Sequence, residues 1–242
     1  MRSFVRRHES LLRTLGATTA IGMVLGLAIG GVGGRLAMRA LFLTTGLGVR
    51  GVLSDDGFRI GEFSVAATAN LLVTGTLFGI VGAFVYLGVR PFLIGPRWLH
   101  SLTCGLAAGA VIGSLLVNPE GVDFTLLAPT WFAIALFVAI PAAFGAVTPL
   151  VMEWALRTDG WARTARLRWA VSPLLVFLFP PLLLLVGVPV AGVLIARYGL
   201  SRSPQLERVA QGQIAMWAMR GAWLVIAALG AVALGADVAA LL

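Results

Sequence analysis

The sequence predicts an all-α bundle of about six membrane-crossing helices, and three observations predict it. First, 59% of the 242 residues are hydrophobic and only 12% are charged, against about a quarter charged in ordinary soluble domains. A globule needs a polar coat around its core, and this chain has too little polar material to make one. Second, uncharged runs reach the roughly 20 residues that span about 30 Å of hydrocarbon at about 1.5 Å per helical residue. Third, the basic residues gather at the ends of those runs, where they can meet lipid headgroups.

Six apolar segments follow one another: 14–34, 63–89, 99–117, 124–152, 169–196 and 221–242. They form one transmembrane domain, 1–242, with no connection long enough for a separate soluble unit. The first segment follows a basic start (Arg2, Arg6, Arg7, Arg13). Its uncharged run is longer than the apolar core of about 7–15 residues in a secretory signal, so it reads as a retained span. The longest connection, 35–62, has an apolar first half (40–49) suited to lying in the interface or dipping into it.

Glycine spacing is the most specific pattern. Gly22, Gly26, Gly30 and Gly34 recur every four residues in the first span, Gly105, Gly109 and Gly113 in the third, and Gly75, Gly79 and Ala83 in the second. Residues four apart share a helical face, so each run makes a groove without side chains where backbones can approach closely. The expectation is a tightly packed half built from spans one to three, with Met23, Leu25 and Leu27 turned away. The fifth segment carries Pro173, Pro180-Pro181 and Pro189. The central pair deletes two backbone donors and breaks the helix. Two readings remain: a kinked but complete span, which is favoured, or a re-entrant hairpin that enters and leaves on one side.

Orientation comes from arginine. The N-terminal segment, the second loop (Arg90, Arg97) and the fourth (Arg157, Arg163, Arg166, Arg168) oppose Arg35, Arg39, Arg50 and Arg59, with Arg197, Arg202 and Arg208 depending on the fifth segment. The bias places the N-terminus in the cytoplasm and the chain in the cell's inner (plasma) membrane. All 18 basic residues are arginine, so lysine chemistry such as a Schiff base is excluded. Neither the net charge of +8 nor the Arg163–Arg166–Arg168 cluster beside Trp161 and Trp169 marks a nucleic-acid site, because the charge is spread over span ends. Membrane lipids are the expected partners, with another membrane protein or a second copy as further ones.

Phosphate-cradling, nucleophile-elbow, His-Glu-x-x-His and Cys-x-x-Cys motifs are absent from the sequence. The lone Cys104 offers no internal disulfide, two histidines no haem grip, and nothing calls for a metal or a cofactor. What remains is a polar constellation at the end opposite the N-terminus. One loop carries Asp55, Asp56 and Glu62, and the next carries Glu120 and Asp123. Arg35 and Arg39, one helical turn apart, project from the end of the first span towards them, and Asn70 with Thr74 lies inside the second span. Such a set can bind a hard cation, relay protons or hold an anionic headgroup, or simply latch the loops together. Asn70 is expected to face the bundle and bond across helices; Arg220 is expected to open the last span and snorkel.

The stretches Gly33-Gly34-Arg35-Leu36-Ala37-Met38-Arg39, Arg50-Gly51, Ser54-Asp55-Asp56-Gly57-Phe58 and Gly121-Val122-Asp123-Phe124-Thr125-Leu126-Leu127-Ala128-Pro129, with 135–141 downstream, resemble a family of uncharacterised multi-pass membrane proteins of high-GC actinobacteria. The resemblance covers about the first 150 residues. It implies that the loop acids with Arg35 and Arg39 are recurring polar features and implies no activity. Three functional classes follow: small-solute or ion transport, which is slightly favoured; an accessory or assembly subunit of a membrane complex; and a lipid-modifying enzyme using the loop carboxylates, which the missing nucleophile disfavours.

Overall fold

The computed structural model describes residues 2–54, 57, 59–60, 62–188, 190–192 and 212–242. These are helical throughout their long elements, and their only β feature is the isolated bridge Leu53–Arg59. Helix α1 (Arg2–Leu25) widens into a π-helical stretch, Gly26–Gly33, and continues as α2 (Gly34–Thr45). Then come α3 (Val65–Val89), α4 (Arg97–Leu116), the short α5 (Val122–Thr125) and α6 (Thr130–Ala155). Short helices α7 (Trp161–Thr164) and α8 (Leu167–Val171) lead into a 3-10 stretch, Ser172–Leu178, and then α9 (Pro180–Leu182). The last helix, α10, is Gln213–Leu241. Among the described residues five helices are long and apolar enough to cross a membrane.

Several boundaries differ from the sequence expectation. The first helix does not end at Gly34. Its apolar stretch continues helically through Arg35 and Arg39 because Gly34, Ala37 and Leu41 keep one buried face, and Gly46 at φ +91 stops it. The fourth span starts at Thr130 and not at 124, because Pro129 removes an N–H and bars helical backbone at Ala128. The last helix begins eight residues early, so Arg220 lies inside it. Its Nε donates to Phe92 O at 3.0 Å, and its guanidinium stands 4.9 Å from the Trp217 ring centre.

The spans pack as two pairs. In the first, α1 and its π-helical continuation run antiparallel to α3, with Gly22 facing Ile80 and Gly26 and Gly30 facing Gly75. A Cβ on Gly22 would stand 2.7 Å from Ile80 Cα, and one on Gly75 would stand 2.5 Å from Gly31 N, closer than real carbons approach. In the second pair, α4 runs antiparallel to α6. Gly105 faces Ala142 and Ala146, Gly109 faces Ala142, and Gly113 faces Val138, while from the other side Gly145 meets Cys104 and Ala108. The third span's glycine face is therefore turned to the fourth span and not to the first two. Spacing defined the face correctly and the neighbour incorrectly.

The two pairs meet along a seam. At its centre the Phe144 ring of α6 lies against Gly82 of α3, where an added Cβ would be 2.6 Å from the ring. At one end Ile21, Tyr86, Cys104, Met152 and Ala155 form a buried cluster drawing on all four spans. At the other, Leu41, Val117, Phe124, Leu127, Ala133 and Ile134 form a second buried cluster, drawn from α2, the end of α4, α5 and α6, with Leu234 and Val238 of α10 against them.

Helix α10 lies beside α4: Arg220 reaches Phe92, Gly230 abuts Val111, and Leu234 approaches Gly113. Contacts that rise together in both sequences make the helices parallel. The end of α6 and the start of α10 therefore lie at the same end of the bundle, and the chain between them makes no net crossing. Within it, Leu167–Leu178 and Pro180–Gly192 are bent by 100°. Ala170 sits against Gly16 near that end, while Leu182 and Val186 pack on Ile80 deeper in the bundle. A bend within a segment that makes no net crossing favours the re-entrant reading, the less favoured of the two from sequence, over a complete fifth span; parity of crossings, which periodicity does not report, is what separates them.

Candidate functional site

Polar side chains collect at the two ends of the seam. At the end opposite the N-terminus a cavity of about 70 Å³ is lined by Arg35, Ser54, Arg59, Asn70 and Asp123, with Met38, Ile60, Ala67, Leu71 and Leu127 as its apolar wall. Arg35 projects from α2, held 5.8 Å above the Phe63 ring. Asn70 projects from α3, whose start is capped by Ser64 accepting from Ala67 N at 3.3 Å. Asp123 sits in the first turn of α5 and is 4% exposed. Arg59 donates to Gly51 O at 3.1 Å, tightening the loop over the cavity. Thr45 fixes the neighbouring turn by accepting from Ala128 N at 2.9 Å.

Of the residues singled out by sequence, the structure brings together Arg35, Asn70 and Asp123. Arg39 is exposed and lies 5.5 Å from the Phe42 ring. Glu62 is exposed in the loop before α3, and Glu120 is exposed on the turn before α5, its backbone N–H donating to Asn118 Oδ1 at 3.1 Å. Asp55 and Asp56 lie outside the described residues, as do Arg197, Arg202 and Arg208. The expected interhelical bond of Asn70 is not made to any described residue. The amide is exposed at the cavity rim, because its helix begins only five residues earlier and it sits close to the interface. Among the described residues no carboxylate lies within ion-pair distance of Arg35 or Arg59, and no three of His, Cys, Asp and Glu converge as a metal site would require.

The other end holds a cluster that sequence reasoning missed. Glu153 of α6 accepts from Arg90 Nε at 2.5 Å, from Arg90 Nη2 at 2.9 Å and from Tyr86 Oη at 3.0 Å. Its side chain is 14% exposed and that of Arg90 38%. A bidentate guanidinium–carboxylate pair has two parallel charge-assisted bonds, which fixes orientation as well as distance. Here it ties α3 to α6 across the seam. An acid at the end of one apolar run and an arginine at the end of another was the available signal, but Arg90 entered the sequence reading only as a loop charge for orientation and Glu153 did not enter it. Nearby, Arg13 pairs with Glu9 at 2.9 Å and donates to Ala162 O at 3.2 Å and Ala165 O at 2.7 Å, docking α1 on α7. On α4, both ring nitrogens of His100 and the Ser101 hydroxyl are buried without a partner among the described residues.

Fold and composition together define a multi-pass α-helical membrane protein. No known protein family, curated protein or solved structure matches the chain.

Proposed function

We propose that the protein moves a small anionic or zwitterionic solute along the seam between its two helix pairs. One observation carries this reading: ionisable groups contributed by both pairs meet at the two ends of a single seam, and an aromatic ring fills its middle. The cavity end offers Arg35, Arg59 and Asn70 to an anionic group, with the Asp123 carboxyl in the same lining. The opposite end is closed by Glu153 with Arg90 and Tyr86. The pairs are held internally by backbone contact, so each can move as a unit while the seam opens at one end or the other, as alternating access requires. Arginines at 2, 6, 7, 13, 90, 97, 157, 163, 166 and 168 lie at the N-terminal end, against 35, 39, 50 and 59 at the other. That bias supports a cytoplasmic N-terminus, with the cavity facing outward.

The test uses purified protein with inorganic phosphate, acetate and glycine as probes. At least one should raise the melting temperature of the wild type and leave Arg35→Gln and Asp123→Asn unmoved. The same probe should enter proteoliposomes faster than empty vesicles, and Phe144→Ala should increase that flux. No thermal shift from any probe, with flux at the background of empty vesicles, would refute the reading. A second reading, an accessory subunit, is favoured by α10, of whose apolar window only 6% is buried. It predicts stoichiometric co-purification with another membrane protein, lost when Leu229 and Val232 are replaced by serine.

A further inference from the structure

The re-entrant hairpin carries a groove of about 550 Å³, inside the roughly 300–1,000 Å³ of small-molecule pockets. Arg168 and Ser172 stand at one end of its first limb, and Leu174, Phe177, Leu178 and Leu183 line the rest towards the bend. The polar end is the shallow one, since Ala170 abuts Gly16 near the start of the first span, whereas Leu182 and Val186 beyond the bend pack on Ile80. The limb from Leu167 to Leu178 is about 20 Å long at helical and 3-10 rises, enough to traverse the hydrocarbon of one leaflet. Trp169 sits at the same level as Arg168, 5.7 Å from its guanidinium, where interfacial tryptophans belong.

We infer that this groove holds one acyl chain of an anionic phospholipid of the inner leaflet, with Arg168 on its phosphate. Charge and depth select that occupant. The guanidinium has no ion-pair or hydrogen-bond partner among the described residues, and Arg163 and Arg166 add positive field beside it. A second copy of the chain would bring its own three arginines to the same level and repel. Two of its nearby acids, Glu9 and Glu153, are already paired within the chain, which leaves the exposed Asp159 alone against three arginines. A phospholipid supplies both halves at the right spacing: a phosphate at the interface and a chain running inward past Leu178.

Native mass spectrometry of the full chain in mild detergent tests the assignment with phosphatidylglycerol and phosphatidylcholine of identical acyl chains. Wild type should retain phosphatidylglycerol preferentially, and Arg168→Ala should cut that preference about fivefold while still retaining lipid. Leu175→Trp, placed in the groove wall, should reduce retention of both lipids. Equal retention of the two lipids by wild type, an unchanged preference in Arg168→Ala, or unchanged retention in Leu175→Trp would each overturn the inference. Both substituted positions are exposed, so the variants should fold, and melting curves matching wild type make each result a statement about lipid.

Discussion

Replacing Glu153 by alanine should destabilise the protein more than any other single charge removal among its described ion pairs. The carboxylate accepts three hydrogen bonds, and its loss leaves the Tyr86 hydroxyl, on a residue 4% exposed, without its partner. Breaking a fully buried pair costs about 3–5 kcal/mol, whereas an exposed pair contributes about 0–1 kcal/mol. With Glu153 14% and Arg90 38% exposed, the guanidinium can still reach water, which pulls the cost down to about 2–3 kcal/mol. Tyr86→Phe removes only the hydroxyl and should cost about 1.5 kcal/mol, as a hydrogen bond to a charged group does. The two effects share one carboxylate, so the double variant should cost clearly less than their sum. Reversible unfolding in mixed micelles, titrated with a denaturing detergent, gives all three values. Stability of Glu153→Ala within about 0.5 kcal/mol of wild type, or additive single effects, would refute the claim that this cluster ties the two pairs together.

Three further outcomes follow from the packing. Gly79→Leu should lose folded protein, since its added carbon would fall 2.8 Å from Gly26 N, while Gly221→Leu, with nothing within 4 Å, should match wild type; equal yields in detergent would refute the contact. In a Cys104→Ser background, Asp159→Cys and Gln213→Cys should label from the same side of the membrane and Glu120→Cys from the other, and opposite labelling of 159 and 213 would restore a crossing fifth segment. His100→Leu should hold or raise the melting temperature, because it removes two buried nitrogens that have no partner among the described residues, and such a replacement is neutral or stabilising when the shape is kept; a clear fall would mean that the ring makes a bond.

Sequence made the fold class legible because the test is one of supply: residues without charge, in runs of spanning length, have one medium available. Glycine periodicity likewise gave the right faces of the first, second and third spans. It could not name the neighbour, since Gly105 and Gly109 would present the same smooth groove to any helix, and only the tertiary arrangement puts Ala142 and Ala146 there. The cavity was half legible. Asn70 stands out as a costly amide inside an apolar run, and Arg35 and Asp123 as charged residues gathered at one end of the spans, and the three share a cavity. Arg39 was grouped with Arg35 by spacing, yet it points away, because the helix continues and its buried face is set by Ala37 and Leu41. Glu153 escaped notice because an acid at the end of an apolar run looks like an interface residue until a guanidinium from another span is placed beside it. The hairpin depended on counting crossings, a property of the whole bundle.

The arrangement separates what holds this protein together from what gives it chemistry. Between Gly22 and Ile80, or between Gly109 and Ala142, backbones lie so close that no side chain larger than a hydrogen or a methyl fits. A carboxylate there would have neither room nor water, and its desolvation would go uncompensated. Polar groups are therefore driven out of the pairs to the ends of the seam, where loops, headgroups and each other can satisfy them. The same exclusion makes the pairs stiff, because two helices in backbone contact cannot slide without losing dispersion along their whole length. A stiff pair on each side, with side-chain contacts between them, leaves the seam as the softest joint among the first four spans. The end that holds the N-terminus is fastened by an ion pair, whose two charged groups a conformational change can hand to water, and its middle by one aromatic ring on one glycine. Both fastenings are local, so opening either end requires breaking a few contacts and no repacking of a core.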